Sequence, residues 1–322
     1  MGNFTETKEN LLKLGFMCGV FVLATAARGD WLLVVVYLFR DYLQDLFPVS
    51  ENEAKTDHVI SLSRWRLQNL PLFIIFSVIV SFTMFWGMAW SWQWYYYIKR
   101  RDKSEEWKCQ PNKFLSPKDE RHEIMLGSLN MLLGSVASGI ISCYIMNGGH
   151  TTLYYGILDR GLLYFLLSIP CFFLWIEVNA YYFHRLFHNP YLYKKVHKIH
   201  HRYHQPTAFS TTAMHPLEFT LHQSYLAIVP FVFPLHVGVF ITLLLYVYYY
   251  GMCDHSGIKM DALWPWQPSS MFHDNHHRLF HVNFGFNSFL MDWLHDTLDK
   301  ADREYGEDVF GGRGRPVKTG SR

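Results

Sequence analysis

Gly161-Leu-Leu-Tyr-Phe-Leu-Leu-Ser-Ile-Pro-Cys-Phe-Phe-Leu-Trp-Ile176 runs without a break into Glu177-Val-Asn-Ala-Tyr-Tyr-Phe-His184-Arg-Leu-Phe-His188. The first half reads as a membrane helix. The second half puts two imidazoles at i and i+4, on one face of the same helix. Pro190 then stops it. Polar ligands thus gather where an apolar span ends. Two further boxes follow, His197-Lys-Ile-His200-His201 and His273-Asp-Asn-His276-His277. The three boxes hold eight of the eighteen histidines. Surface histidines have no physical reason to repeat the H-x-x-H-H spacing twice.

Neutral imidazole suits zinc, copper, iron and nickel. A structural zinc takes four ligands, usually with cysteine among them, so eight clustered imidazoles are too many for one zinc. Two metals sharing them fit better, with iron first because redox chemistry calls for it. Separate zinc sites, or histidines that bind no metal, are the plainer alternatives.

Outward from the boxes, the 322-residue chain is 50% hydrophobic and 18% aromatic, rich for a soluble protein. Its net charge of +2 gives no footprint for nucleic acid. Five cysteines without CxxC spacing fit a reducing compartment or buried thiols rather than a disulfide framework. Leu11–Ala27 is apolar, and Ala24-Thr-Ala26 resembles a signal cleavage site. Arg28-Gly-Asp30 leads straight into a second apolar run, Trp31–Phe39, which favours a first membrane helix or a re-entrant hairpin. Asp41–Arg66 reads as a loop or surface helix.

Leu70–Tyr97 is the clearest span, longer than the ~20 residues a bilayer needs. Trp86, Trp90, Trp92 and Trp94 crowd its end as an aromatic belt would, and Lys99-Arg-Arg-Asp-Lys103 marks that end as cytoplasmic. Ile124–Met146 follows, with Gly127, Gly134 and Gly139 permitting close helix packing. Basic Tyr191–His204 is expected among the headgroups. In Pro216–Gly251, Pro230 and Pro234 predict a kinked helix pair. Three regions emerge: 1–123, N-terminal membrane segments and a loop; 124–300, the catalytic region; and 301–322, a polar tail expected to be disordered. The fold class is an all-α integral membrane helical bundle, with a cytoplasmic histidine-rich helical cap holding a di-metal site.

From about Leu162 to Lys300, the three boxes in this order resemble the fatty acid hydroxylase/sterol desaturase superfamily. Within that stretch, His200-His201-Arg-Tyr-His204-Gln-Pro-Thr-Ala-Phe and Ala213-Met-His215-Pro-Leu-Glu218 are most similar to the sterol C5-desaturase and C4-methyl oxidase branch. The resemblance implies a multi-pass endoplasmic reticulum enzyme with two iron ions, which activates O2 to hydroxylate or desaturate a lipid, a sterol first. It implies ligand roles for His184, His188, His197, His200, His201, His273, His276 and His277, with His255 as an additional ligand. It implies a lipid substrate drawn from the bilayer and a separate electron donor such as cytochrome b5. A fatty acyl, sphingolipid or alkylglycerol substrate is the alternative. A non-catalytic membrane protein that binds metal or lipid is the alternative of another class; a missing box histidine would have favoured it, and none is missing. A histidine-rich metal transporter would need polar residues in several spans.

The other histidines read less sharply. His204 and His215 are ligands or structural groups in equal measure. His222 and His236 read as core residues, and neither His281 nor His295 reads as a ligand. Asp274 and Asp292 are candidates to orient imidazoles. Trp264-Pro-Trp266 reads as an interfacial anchor.

Overall fold

A computed structural model describes Leu62 and residues 65–317. The apolar runs Leu11–Ala27 and Trp31–Phe39 lie outside the described residues, as does most of Asp41–Arg66. The elements are helical: α1 (Leu70–Trp92), α2 (Ser104–Trp107), α3 (Pro117–Met146), α4 (Leu162–Phe187), α5 (Pro190–Lys195), α6 (Pro216–Ala227), α7 (Val229–Val232), α8 (Val237–His255), α9 (Ser270–Leu279) and α10 (Leu290–His295). The C-terminal end of α1 continues as a π-helical turn, Gln93–Lys99. Two 3-10 turns, His197–Arg202 and Ala208–Thr212, lie between α5 and α6.

Among the described residues, four helices are long and apolar enough to cross a membrane: Leu70–Lys99, Pro117–Met146, Leu162–Phe187 and Val237–His255. Their outer faces carry Ile75, Ile79, Leu129, Leu132, Leu163 and Leu167, all exposed. A contiguous apolar surface of that kind belongs in lipid rather than water.

Local sequence sets the helix starts. Ser116 caps α3 by accepting from Asp119 N at 3.1 Å, with Pro117 in the first turn. Pro190 ends one helix and opens the next, with Asn189 as its cap. His215 and His236 are caps too: their Nδ1 atoms accept from Leu217 N and Gly238 N, each at 3.1 Å. Pro230 and Pro234 lie where the chain breaks between α6 and α8, with the short α7 between them.

Glycines let α1 and α3 approach. A methyl group on Gly139 would lie 2.8 Å from Ile74 Cα, and one on Gly127 would lie 2.7 Å from the Phe209 carbonyl. The main core packs α4 against α6 and α8 through Phe172, Ile176, Tyr225, Val229 and Val239. Tyr97, beyond α1, donates to Ser256 O at 2.7 Å just after α8. The ends of α1, α4 and α8 and the start of α3 thus gather at one end of the bundle, beside Lys99–Lys103.

The segment from 301 departs from the disordered tail that its composition predicts. Through Val317 it folds back, pairing β1 (Arg303–Glu304) with β2 (Arg315–Pro316). Phe310, half-buried, packs against His281 with ring centroids 4.1 Å apart, a contact that ties this segment to the rest of the fold.

Candidate metal centre

Nine histidines converge at the gathered end of the bundle. They form two groups: His184, His188, His197, His201 and His276 in one, and His200, His255, His273 and His277 in the other. Within each group the candidate ligand atoms all lie within 4.8 Å of one another. These are the eight box histidines plus His255. The boxes do not map one to a group. The second and third boxes each send histidines to both, so the 3-10 turn 197–202 and α9 are shared walls. His204, His215, His222, His236, His281 and His295 stand outside both groups.

In most of these rings one nitrogen is fixed by the protein, leaving the other to point inward. His184 Nδ1 donates to Phe284 O at 2.9 Å, and His276 Nδ1 donates to Val282 O at 2.6 Å. His200 Nδ1 donates to Ala213 O at 3.3 Å. His197 Nδ1 meets Glu218 Oε1 at 2.5 Å, and His255 Nδ1 meets Asp254 Oδ1 at 2.5 Å and Gly251 O at 2.8 Å. Fixing Nδ1–H in this way sets the tautomer and frees Nε2 for a metal.

The inward nitrogens crowd each other. Nε2 of His255 lies 3.0 Å from Nε2 of His273 and 3.2 Å from Nε2 of His200; Nε2 of His188 lies 3.3 Å from Nε2 of His201. Metal–imidazole bonds of ~2.0–2.1 Å place adjacent ligands about 2.9–3.4 Å apart. These spacings match the edges of such a coordination polyhedron. His197 Nε2, His276 Nε2 and both nitrogens of His277 are buried with no hydrogen-bond partner. Buried orphans of that kind call for an ion. Burial holds the imidazoles of His188, His200, His201, His273, His276 and His277 well below the usual range, and His197 down to about 3. They are neutral, the form a metal binds. An all-imidazole donor set fits two transition-metal ions.

Buried carboxylates on helices brace the turns around the centre. Glu123 of α3 accepts from Thr207 N at 3.0 Å and Thr207 Oγ1 at 2.9 Å, and from Ser210 Oγ. That locks the turn whose Ala213 carbonyl receives His200. Glu177 of α4 accepts from Asn287 Nδ2 at 2.5 Å. Asp292 of α10 accepts from Phe284 N at 2.8 Å and Gly285 N at 2.5 Å. It therefore orients His184 through the Phe284 backbone and touches no imidazole itself. Asp274, the other candidate orienting acid, accepts from Gln110 Nε2 at 3.0 Å. Ionisable groups on apolar spans are functional signals by default, and that signal would have drawn attention to Glu177; Glu123 ends the charged run from Lys118 and carries no such mark.

His281 is the residue the spacing missed. Phe280 closes α9 in a γ-turn at φ 74°, ψ −80°, with His281 N donating to Leu279 O at 3.2 Å. The turn lays the Phe280 ring on His201 and swings His281 back to His188, where the two Nδ1 atoms are 2.9 Å apart.

A cavity of about 380 Å3 reaches His184 and His197 of one group and His200, His255 and His273 of the other. Its remaining wall is mostly apolar, including Met84, Met131, Leu245 and Phe286. A greasy molecule thus has room beside both groups.

Comparison with known proteins bears on this centre directly. Residues 169–297 match the family model described as fatty acid hydroxylase. Over this stretch the chain is similar to that family. It is 31% identical to a Delta(7)-sterol 5(6)-desaturase of Schizosaccharomyces pombe, over 49% of this chain and 52% of that one. It is 34% identical to human lathosterol oxidase over 40% of this chain and 44% of that one. It is 35% identical to fatty acid hydroxylase domain-containing protein 2 of Macaca fascicularis over 46% and 44%. The chain thus spans about half the length of the curated relatives it matches. No solved structure matches it. The matched stretch contains every one of the nine histidines.

Proposed function

We propose that this protein is a membrane-bound di-iron oxidoreductase that uses O2 to desaturate or hydroxylate a sterol. The observation that carries the reading is the pair of imidazole groups lining one mostly apolar cavity. Similarity to sterol desaturases supports the substrate class. When bound, two irons would supply reduction of dioxygen to water, coupled to removal of hydrogen from an unactivated C–H bond. His184, His188, His197, His201 and His276 hold one ion; His200, His255, His273 and His277 hold the other.

The chain's own part is positioning and exclusion. The cavity walls bring a substrate carbon within ~3–3.5 Å of the reacting atoms. The apolar lining keeps bulk water out. Glu218 and Asp254 hold Nδ1–H of His197 and His255 and so keep those rings facing inward. Electrons come from a separate donor such as cytochrome b5. Lys99–Lys103, the boxes and the residues after 301 face the cytoplasm of an endoplasmic reticulum membrane, as the basic stretch beside the boxes supports.

Two measurements test the reading. Protein purified in detergent should carry about two irons per chain by elemental analysis; stoichiometric zinc without iron would refute it. Sterol profiles of cells with and without the protein should differ by an accumulated precursor.

A further inference from the structure

A second cavity of about 510 Å3 adjoins the one at the histidines. Both are lined by Val80 of α1, Gly134 and Ser138 of α3, Phe219 and Leu226 of α6, and Leu244 of α8. Beyond this shared wall the two diverge. The first continues to Met84 and the imidazoles. The second continues to Asn69, Met146 and Pro230, at the opposite end of the bundle. From Met84 to Asn69 is fifteen residues of α1 and its cap, or about 22 Å at 1.5 Å per residue. Together the cavities have the proportions of one elongated lipid rather than two small ligands.

One residue pair of the shared wall is in close contact across it. Phe219 is buried, and its ring faces Gly134 across the gap between α6 and α3. A methyl group on Gly134 would lie 3.0 Å from Phe219 Cζ and 3.2 Å from Cε1. A side chain here could be seated only by pushing the ring into the passage. What closes on Gly134 is this ring, where backbone closes on Gly127 and Gly139.

We infer that Gly134 and Phe219 form a neck in a single lipid channel, passing a slender tail into the distal cavity and holding a wide rigid group beside the histidines. The neck is a specificity determinant. It admits substrates with a broad reacting end and a narrow apolar tail, and it fixes how deep they sit. This rests on the lipid-oxidising function proposed above. The sterol class fits it: the fused rings fill the cavity at the histidines and the flexible side chain threads the neck.

The test compares wild type, Gly134→Leu and Phe219→Ala in cells, on a full-length sterol and on its analogue lacking the side chain. The readout is the ratio of the two turnovers, which cancels differences in expression and folding. In Gly134→Leu the ratio of full-length to truncated turnover should fall at least tenfold. In Phe219→Ala, a sterol with a bulky branched side chain should gain at least threefold relative to the unbranched one. Unchanged ratios in both variants would overturn the neck. Wild type inactive on every sterol but active on acyl lipids would overturn the substrate class alone. The same variants on short and long acyl chains would then decide the neck by the same ratio.

Discussion

His281 Nδ1 stands 2.9 Å from His188 Nδ1, while its own Nε2 donates to the Glu307 carbonyl at 2.9 Å. The carbonyl can only accept, so the proton of His281 is on Nε2 and its Nδ1 must accept. His188 therefore carries its proton on Nδ1 and turns a free Nε2 into the metal centre. His281→Ala should weaken metal retention about 10–100-fold, the usual cost of losing a partner behind a ligand. Dialysis against graded chelator, followed by elemental analysis, checks this. Retention equal to wild type would show that the contact is only packing.

Glu218 plays the same part for His197, in a pocket where burial pushes its carboxyl up to about 8. Glu218→Ala leaves a buried Nδ1–H without an acceptor and should lower metal content and turnover at least tenfold. Glu218→Gln keeps a carbonyl oxygen there and should lose less. Equal losses in the two variants would argue against the hydrogen bond as the cause.

His200→Ala, His201→Ala and His276→Ala should each abolish turnover without disturbing membrane insertion, which depends on apolar spans these changes do not touch. His236→Ala removes a helix cap, at a cost of about 0.5–2 kcal/mol of stability. It should retain turnover per folded molecule. The four are compared in cells at equal membrane abundance; an active His276→Ala beside a dead His236→Ala would break the assignment.

Acid should destabilise the protein once metal is removed. Seven of the clustered imidazoles outside the spans are held below their ordinary range by burial. Below about pH 6.5 the unfolded chain takes up protons that the folded chain does not. The unfolded state binds more protons, so stability falls as pH falls. Glu218, and Asp274 and Asp292 at about 6, act oppositely: they favour the fold at low pH and lose that contribution as pH rises through their folded values. Seven groups outweigh three. Chelator-treated protein in detergent should therefore melt lower at pH 5.5 than at pH 7.5, and a melt unaffected by pH would contradict the burial of neutral imidazoles.

A glycosylation reporter fused after Arg322 should stay unmodified in cells, because the proposed topology puts that end on the cytoplasmic side with Lys99–Lys103. Its modification would invert the proposed topology.

Much of the bundle was legible from local pattern. Leu70–Tyr97 and Ile124–Met146 are long apolar runs, and Pro230 and Pro234 mark the break between α6 and α8, whereas Pro170 lies inside α4 without ending it. Eight of the nine histidines were legible as a set because their spacing repeats, while His255 came only with the family resemblance. Their division into groups of five and four was not, since it depends on how the 197–202 turn meets α9. His281 was illegible for a different reason: its role comes from a γ-turn at Phe280, a conformation that a phenylalanine gives no hint of adopting. Glu218 stood in a quoted motif, but its partner lies 21 positions away.

The fatty acid hydroxylase match stops at residue 297, yet the support of the centre does not. Glu307 and Phe310 hold His281, and His281 holds His188, so the shell around the first imidazole group is completed by residues past that boundary. Anyone trimming the protein to its recognisable catalytic region would keep every ligand and loosen one of them. The shortest fragment that keeps the His188 side intact must run through the β2 strand, and sequence similarity is the wrong ruler for cutting it.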